Sequence, residues 1–423
     1  MDNKKIINLL KRNAITYDYK ICVLNPDETV AYEIPPQDII YDSISGSENL
    51  QNGQRRELSF KLFNGTGKYT PTVNSQKGFY SIYYDLDNKR HADFIRNSKY
   101  NQQPLWGITK IFFEIGIKVG NDEYEWFPKG VYVITAADAT QNMGQKEVSF
   151  TLKDKYCLLE GNTGKLFHAI EIPVGSNCVQ VIRDLLKEDL GIGYSMDLIE
   201  PIFDHSFLDM KTQASIKKEA GSTISSIIEE LATQMSAEYY YNERGQLVFV
   251  PLNEVLLDEQ KQISWIYSDD NGDLFNLSNN YDYDNAVNVI SVSGESVENG
   301  IYSALVVNSD PRSPICVGNI GKRMGEQITD ANVWSKTIAM DTGRYYLRKN
   351  SISCLKTDIT AKLNPLIELN KLIEVDHEFF DLKHEKYIVS SLSFSSNSLE
   401  MNIGTTNIQH LTFLKAGDNG YVY

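Results

Sequence analysis

Two histidines near the C-terminus, His377 and His384, are the residues best placed to hold a metal ion. They flank a predicted hairpin turn, and carboxylates lie beside them at Asp376, Glu378 and Glu385. Imidazole nitrogens and carboxylate oxygens are common zinc ligands. This spacing brings the ligands together only if the two ends of the hairpin converge, and surface loops often have the same composition. We therefore predict no metal site in this hairpin.

A second group of oxygen ligands, Asp269, Asn271 and Asp273, alternates along the chain as in a calcium-binding loop. Such a loop also needs a glycine and a terminal glutamate, and this chain has Leu274 and Asn280 in their places. The pattern therefore predicts an acidic turn without calcium.

Other candidate motifs also lack part of their signature. The stretches 318–323 and 161–165 each contain a Gly-Lys pair, but they lack the first glycine spacing and the Ser or Thr of a phosphate-binding loop. Glu229 and Glu230 follow the apolar face of a predicted helix, which indicates its solvated side. With six histidines and no nucleophile elbow, the sequence predicts a protein that is not an enzyme. We expect no catalytic, cofactor-binding or metal-ligating residues and no cofactor.

The composition is that of a globular protein with several domains. The chain has 423 residues, of which 42% are hydrophobic and 23% are charged, so two to four domains are expected. Its 25 tyrosines and frequent Val, Ile and Thr favour β structure. Five cysteines, an odd number without a Cys-x-x-Cys pair, predict free thiols in a reducing compartment.

Negative charge is concentrated in the middle of the chain. The whole chain has a formal net charge of -15, and residues 161–275 contain 8 Lys and Arg against 19 Asp and Glu. Phosphate backbones are bound by clustered Lys and Arg, so the sequence argues against sequence-specific binding of nucleic acid. An acidic surface suits the wall of a channel through which DNA slides, because it repels the negatively charged DNA. A solvated face that only aids solubility is the alternative.

Hydrophobic periodicity divides the chain into four parts. Residues 1–14 form a short docking helix, and residues 15–160, with alternating strands and polar turns, form a first β-barrel domain. Residues 161–275 change to helical periods followed by a hairpin, which predicts an acidic α+β module. Residues 276–423 form a second β-barrel domain with a helical insertion at about 309–355. No apolar stretch is long enough to span a membrane, so no membrane insertion is expected.

An internal echo suggests that the two β domains are related. The stretch from Val131 to Leu152 and the stretch from Tyr387 to Ile403 are both hairpins with a similar first strand, and each follows another hairpin. Chance similarity between two tyrosine-rich hairpins is the alternative. The predicted fold class is therefore α+β, mainly β, with two related β-barrel domains, an inserted α+β module and a helical excursion.

The layout of the last third resembles that of a known family. Its features are a β-branched strand at 289–294, an excursion at 309–325, a helix containing Arg344-Tyr345-Tyr346-Leu347 and a closing strand at 387–390. This layout resembles phage tail and baseplate hub proteins of the late-control type.

The resemblance implies a structural protein of the virion tail, assembled in the cytoplasm of the host bacterium. It implies a homotrimer that forms a pseudo-sixfold ring, joins a sixfold tail tube to a threefold tip or spike, and surrounds the channel for DNA and the tape measure protein. The implied partners are further copies of the chain, a tail tube or distal tail protein, a spike or tip protein and the tape measure protein. The chain ends soon after its last predicted strand, so a peptidoglycan-cleaving domain is expected on a separate protein. The alternative is a carbohydrate-binding or carbohydrate-processing β protein whose tyrosines form sugar platforms.

Overall fold

The computed structural model describes residues 3–11, 15–25, 27–65, 69, 109–121, 123–142, 144–187, 197–252, 262–296, 300–330, 332–414 and 420–421. The stretch from Asn64 to Gln103 is rich in Tyr, Asn, Lys and Gly, which predicts an irregular insertion, and it lies almost entirely outside these residues. The helices are α1 Asn3–Leu10, α2 Cys178–Lys187, α3 Ile224–Met235, α4 Val317–Ile320 and α5 Lys336–Cys354. None of the helices within these residues is long and apolar enough to cross a membrane.

The described residues form 22 strands. Those before residue 200 are β1 Tyr17–Leu24, β2 Val30–Glu33, β3 Ser45–Asn49, β4 Arg56–Phe63, β5 Lys110–Lys118, β6 Tyr124–Gln141, β7 Lys146–Asp154 and β8 Ile170–Ile172. Those of the middle are β9 Ile202–Phe203, β10 Ile216–Lys218, β11 Ala237–Tyr241, β12 Leu247–Pro251, β13 Ile263–Ser268 and β14 Leu274–Tyr281. The remaining strands are β15 Val289–Ser296, β16 Gly300–Val307, β17 Ile328–Thr329, β18 Leu355–Lys362, β19 Leu372–His377, β20 Leu382–Ser395, β21 Glu400–Asn407 and β22 Gly420–Tyr421.

One sheet of 13 strands contains most of the strands from both ends of the chain. Strands β1 to β7 form its first part, the first β unit, and β13, β14 and β18 to β21 form its second part, the second β unit. The sequence division places β13 in the middle module, whereas its hydrogen bonds join it to β19. The predicted α+β, mainly β fold with an inserted helix-containing module is confirmed.

The two β units share the same order of strands. The order β1-β5-β6-β7-β4-β3 in the first unit corresponds to β13-β19-β20-β21-β18-β14 in the second. Neighbouring strands run antiparallel in both units, except that β13 runs parallel to β19 while β1 runs antiparallel to β5. The first unit also carries β2 at the outer edge of β1. Both units are therefore built on one plan.

A bulge lies at the same place in both units. The β6–β7 register shifts between Ile134 and Ala136, and the β20–β21 register shifts between Val389 and Ser391. The extra residue is Thr135 in the first unit, and its hydroxyl donates a hydrogen bond to the Thr151 carbonyl at 3.0 Å. The extra residue of the second unit is Ser390, whose hydroxyl donates a hydrogen bond to the equivalent carbonyl at the same distance.

That carbonyl belongs to Gly404, so Thr151 and Gly404 are equivalent positions. Ladder register then relates Ile134 to Val389 and Asp154 to Asn407. The predicted echo between the two hairpins thus has a residue-by-residue structural counterpart.

A seam of hydrogen bonds joins the two units. The last part of β20, from Ser391 to Ser395, pairs with β3 of the first unit. At its centre Phe394 lies opposite Gly46, where a Cβ atom would come within 2.4 Å of the Phe394 ring. The Phe394 ring also stacks on Phe113, with ring centroids 6.1 Å apart. Because β3 uses its outer edge for β20, it cannot close the first unit, and no hydrogen-bonded barrel closes within the described residues.

Each unit has its own apolar core. The core of the first unit includes Ile134 and Phe150, and that of the second includes Val389 and Ile403. Helix α1 places Ile6 and Leu10 in the second core, as expected for a docking helix. Burial of these apolar side chains on one face of the sheet is the main source of its stability. The other face lies in solvent or under another layer.

Two further layers cover the sheet. The middle module consists of β8 to β12 with α2 and α3, and its core is separate. The α5 layer consists of α5 and the sheet β17-β15-β16-β22, and it packs on Leu372 and Ile388 of the second unit. Asn177 and Thr223 accept hydrogen bonds from the N–H groups of Gln180 and Ser226, which caps α2 and α3.

Candidate functional site

The acidic turn at 269–273 does not have the geometry of a calcium loop. Asp269 to Asn271 form a single 3₁₀ turn that ends at Gly272. Asp273 points inward, is 3% exposed and accepts a hydrogen bond from the Trp265 indole at 2.7 Å. Asp269 instead accepts the N–H of Glu378 at 2.9 Å. These carboxylates face different neighbours, so they do not form one cation site.

The glycine-lysine stretches serve as turns. Helix α4 ends at Gly321, whose φ is 74°, and Asn288 binds the carbonyl of Gly321 and the N–H of Arg323. In the other stretch, the N–H of Gly164 bonds back to the carbonyl of Glu160 at 3.0 Å. Their backbone N–H groups are thus used within the protein rather than presented to a phosphate.

A buried charged junction joins the middle module to the first unit. Lys155 is fully buried, and its ammonium group pairs with Asp197 at 2.7 Å and with Glu28. It also donates to the Gly245 carbonyl at 2.8 Å. Burial lowers the pKa of Lys155, and the two carboxylates oppose that change. At this junction the ammonium group of Lys155, from the first unit, therefore neutralises a carboxylate of the middle module.

A second cation crosses the same junction. Arg56 of β4 is 2% exposed, pairs with Glu48 of its own unit at 3.2 Å, and reaches Glu243 and the Tyr241 carbonyl of the module. From the α5 layer, the buried guanidinium of Arg348 pairs with Glu238. Part of the negative charge predicted for the module is thus neutralised inside the protein.

The remaining carboxylates of the module include exposed groups. Glu171 and Glu200 are more than half exposed, and each has a lysine partner at the surface. Glu229 is exposed and Glu230 pairs with Lys218 at 2.5 Å. This is the solvated helix side that the sequence predicts.

Two sheet edges are exposed. Residues 136–141 of β6 pair with β7 on one side, and no strand among the described residues pairs with the other side. Strand β14 pairs with β18 alone within the described part of the chain, and all but two of its side chains are exposed. Unpaired edges present N–H and C=O groups that another chain can bind.

The histidine hairpin brings together ligands that the sequence did not group. His384 lies beside Asp376, and Glu374 joins them from the same strand as Asp376. Their ligand atoms all lie within 4.8 Å of one another, and no other such group occurs in the described residues. His377 faces Asp269 instead, at 3.5 Å. The absence of a metal site remains a prediction.

An open cavity of about 390 Å³ lies where the two units meet. Three of its lining residues are tyrosines, as a sugar platform would require. The Tyr17 hydroxyl donates to the Leu363 carbonyl at 2.5 Å, and the Tyr41 hydroxyl donates to Asp18 at 3.0 Å. Tyr19 packs in the core of the first unit. These three side chains therefore serve packing and internal hydrogen bonds.

Sequence reasoning missed Glu374, Arg56 and Lys155. Glu374 could have been found from the two-residue alternation that puts it on the same strand face as Asp376. The two buried cations gave no comparable signal, because their partners lie far away in the sequence.

Comparisons with known proteins show a shared fold. No protein-family model and no curated protein sequence matches this chain. Among solved structures, the 43 kDa tail protein of prophage MuSo2 from Shewanella oneidensis aligns at TM-score 0.53 and 13% identity, covering 93% of this chain and 99% of that chain. The tail protein from Neisseria meningitidis MC58 aligns at TM-score 0.55 and 10% identity, covering 92% of this chain and 96% of that chain.

Proposed function

We propose that this chain is a structural hub of a phage tail or baseplate, or of a related contractile injection particle. The observation that carries the proposal is the correspondence of its fold with two tail proteins over more than nine-tenths of both chains. The role is architectural and involves no catalytic step. The hub joins the tail tube or distal tail protein to the spike or tip protein, is assembled in the host cytoplasm and remains in the virion tail.

The shared strand order supports a homotrimer with pseudo-sixfold symmetry. Each chain contains two units with the same order of strands, so three chains provide six similar units. Such a ring matches a sixfold tube on one side and a threefold tip on the other, around the channel for DNA and the tape measure protein.

The seam within one chain suggests how neighbouring chains join. Inside the chain, the part of β20 beyond its bulge pairs with β3. The equivalent part of β6 is 136–141, and the equivalent of β3 is β14, which are the two exposed edges described above. We infer that β6 of one copy pairs with β14 of the next. The sheet then continues around the ring, and the exposed edges are covered.

Register equivalence gives the facing residues. Phe394 corresponds to Ala139 and Gly46 corresponds to Asn279, because the ladders on both sides of these strands match. Since Phe394 faces Gly46 within the chain, Ala139 is expected to face Asn279 of the next copy.

The acidic module is proposed to line the channel in part. Its exposed carboxylates, such as Glu229, remain after the buried ones are paired in the junction. Like charge keeps DNA from adhering to a wall. An assembled particle with all of these carboxylates on its outer surface would rule this out.

The hub proposal is tested by the mass and shape of the purified full-length protein. Light scattering should give three chains per particle, and electron microscopy should show a ring with six similar lobes around a channel. A monomer that stays monomeric with its tail partners, or a particle without threefold symmetry, would refute the proposal.

The interface is tested by a cysteine pair, Ala139→Cys with Asn279→Cys. Facing residues on antiparallel strands have Cα atoms about 4.5 to 5.5 Å apart, within disulfide range. Mild oxidation should give covalent dimers and trimers. Each single variant is the matched control and should stay uncross-linked. A trimer that forms without cross-linking would reject this strand pairing while leaving the hub intact.

A further inference from the structure

The hairpin of β19 and β20 carries three possible metal ligands of two chemical types. The Nδ1 atom of His384 lies 2.7 Å from a carboxylate oxygen of Glu374 and 3.6 Å from one of Asp376. Glu374 and Asp376 are two residues apart on β19, so their side chains share one face of the strand. His384 lies on the facing strand, close to the hairpin turn.

The backbone holds these groups in place. His384 has a φ of 55°, and its N–H donates to the Asp376 carboxylate at 2.6 Å. Its imidazole is thereby held over the two carboxylates, while 78% of its side chain is exposed to solvent. The group is thus fixed on the protein side and open to water on the other.

Glu374 is an anion that is buried without a permanent cation. The residue is 7% exposed, and within the described residues no Lys or Arg forms an ion pair with it. Its ion-pair partner there is the imidazole of His384. Burying a carboxylate is costly unless a positive charge accompanies it. A neutral imidazole and two carboxylates carry a formal charge of -2, which a divalent cation would neutralise.

We propose that Glu374, Asp376 and His384 bind one divalent transition-metal ion of the zinc type. One imidazole nitrogen and two carboxylate oxygens suit zinc, whereas calcium prefers ligands that are all oxygen. In a tetrahedral zinc site the ligand atoms are about 3.3 Å apart, from bonds of about 2.0 Å. The distances of 2.7 and 3.6 Å lie on either side of that value. Water completes the coordination on the exposed side.

The ion would clip the two strands together beside the hairpin turn. The turn carries Phe379, which is 84% exposed. A metal-clipped hairpin would present this side chain in one orientation. The sequence alone predicts no metal site in this hairpin. Titration with Zn²⁺ distinguishes that prediction from the proposed site.

The test uses full-length protein freed of metal by a chelator. Isothermal titration with Zn²⁺ should give one site per chain, and Co²⁺ should give a visible absorption spectrum that Zn²⁺ abolishes. Glu374→Gln and His384→Asn should each weaken Zn²⁺ binding by at least about tenfold. Asparagine is chosen because it tolerates a positive φ, so the backbone at residue 384 is kept.

The matched control is His377→Asn, which removes the neighbouring histidine that faces Asp269. This variant should bind Zn²⁺ as the wild type does. Circular dichroism verifies that each variant is folded. Absence of saturable Zn²⁺ binding, preference for Ca²⁺ over Zn²⁺, or equal weakening by His377→Asn and His384→Asn would overturn the proposal.

Discussion

In the first β unit, the strands beside the middle module meet it through buried charges, whereas in the second unit β19 and β20 meet the α5 layer through apolar side chains. The first contact depends on Lys155 and Arg56 with their carboxylate partners. The second contains Leu372 and Ile388 packed with side chains of α5 such as Leu347. The same strand order therefore supports two chemically different contacts.

The difference indicates what each contact contributes. Apolar burial stabilises in proportion to area and tolerates small shifts. A buried ion pair contributes less net stability but disfavours every arrangement that leaves a charge unpaired. We infer that the charged junction fixes the orientation of the middle module, while the apolar contact mainly holds the α5 layer in place.

The largest effect is expected where the two units are most alike. Ile134→Asp and Val389→Asp each put an unpaired charge into a core at equivalent positions. Each should reduce the free energy of unfolding by about 4 kcal/mol or more. Denaturant unfolding measures this, with Thr151→Asp at an exposed position as control. If one core tolerates its aspartate, the two positions are not equivalent.

The charged junction should give the next largest effect. Lys155→Met leaves Asp197 buried without its cation, whereas Glu28 keeps its ion pair with Lys110, and the change should cost about 3 kcal/mol. Adding Asp197→Asn should recover part of that loss, because the unpaired charge is removed. Denaturant unfolding of the single and double variants provides the comparison. A double variant no more stable than Lys155→Met would mean that packing, rather than charge, dominates here.

A smaller effect is expected at the seam, where β20 of the second unit pairs with β3 of the first. Gly46→Ala places a methyl group 2.4 Å from the Phe394 ring, which should cost about 1 to 3 kcal/mol. Shortening Phe394 to Leu in the same chain should remove the clash, so the two changes should be non-additive. A double-mutant cycle of thermal unfolding measures the coupling. Additive effects would show that the strands move apart freely.

The smallest effect is a pH dependence confined to the first unit. Burial raises the pKa of Asp154 to about 6, and the equivalent residue in the second unit is Asn407. Between about pH 4 and 6 the folded state retains a proton that the unfolded state releases, so this group lowers stability as pH rises.

Asp154→Asn removes that titration. The stability of the wild type relative to this variant should therefore be greater at pH 4 than at pH 7, by about 2 kcal/mol at most. Urea unfolding at both pH values measures the difference. A difference that is the same at both values would show that Asp154 does not titrate in this window.

Local patterns predicted the elements well. Alternation and turn residues predict the strands around Val131 and Tyr387, and the change to helical periods predicts the helices of the middle module. The seam could not be predicted in this way. Its strands are Ser- and Gly-rich, and Gly46 and Phe394 are separated by most of the chain, so neither hydrophobic period nor turn chemistry relates them.

The sequence likewise predicted only part of each candidate site. The sequence grouped His384 with Asp376 because they are close in the chain, and it overlooked Glu374, which reaches them across the ladder. Lys155 and Asp197 are 42 residues apart and come from different layers. The pairing of Lys155 with Asp197 depends on how the layers stack, which residue types alone do not encode.

The pairing of β20 with strands of both units has a mechanical consequence. One edge of this strand bonds first to β19 and then to β3, so a single backbone runs through both units without interruption. A pull along the strand direction loads the β3–β20 hydrogen bonds simultaneously, as in a lap joint under shear. A pull across the strands opens them one after another, as in peeling tape. The same joint is thus stiff along one axis and weak along the other.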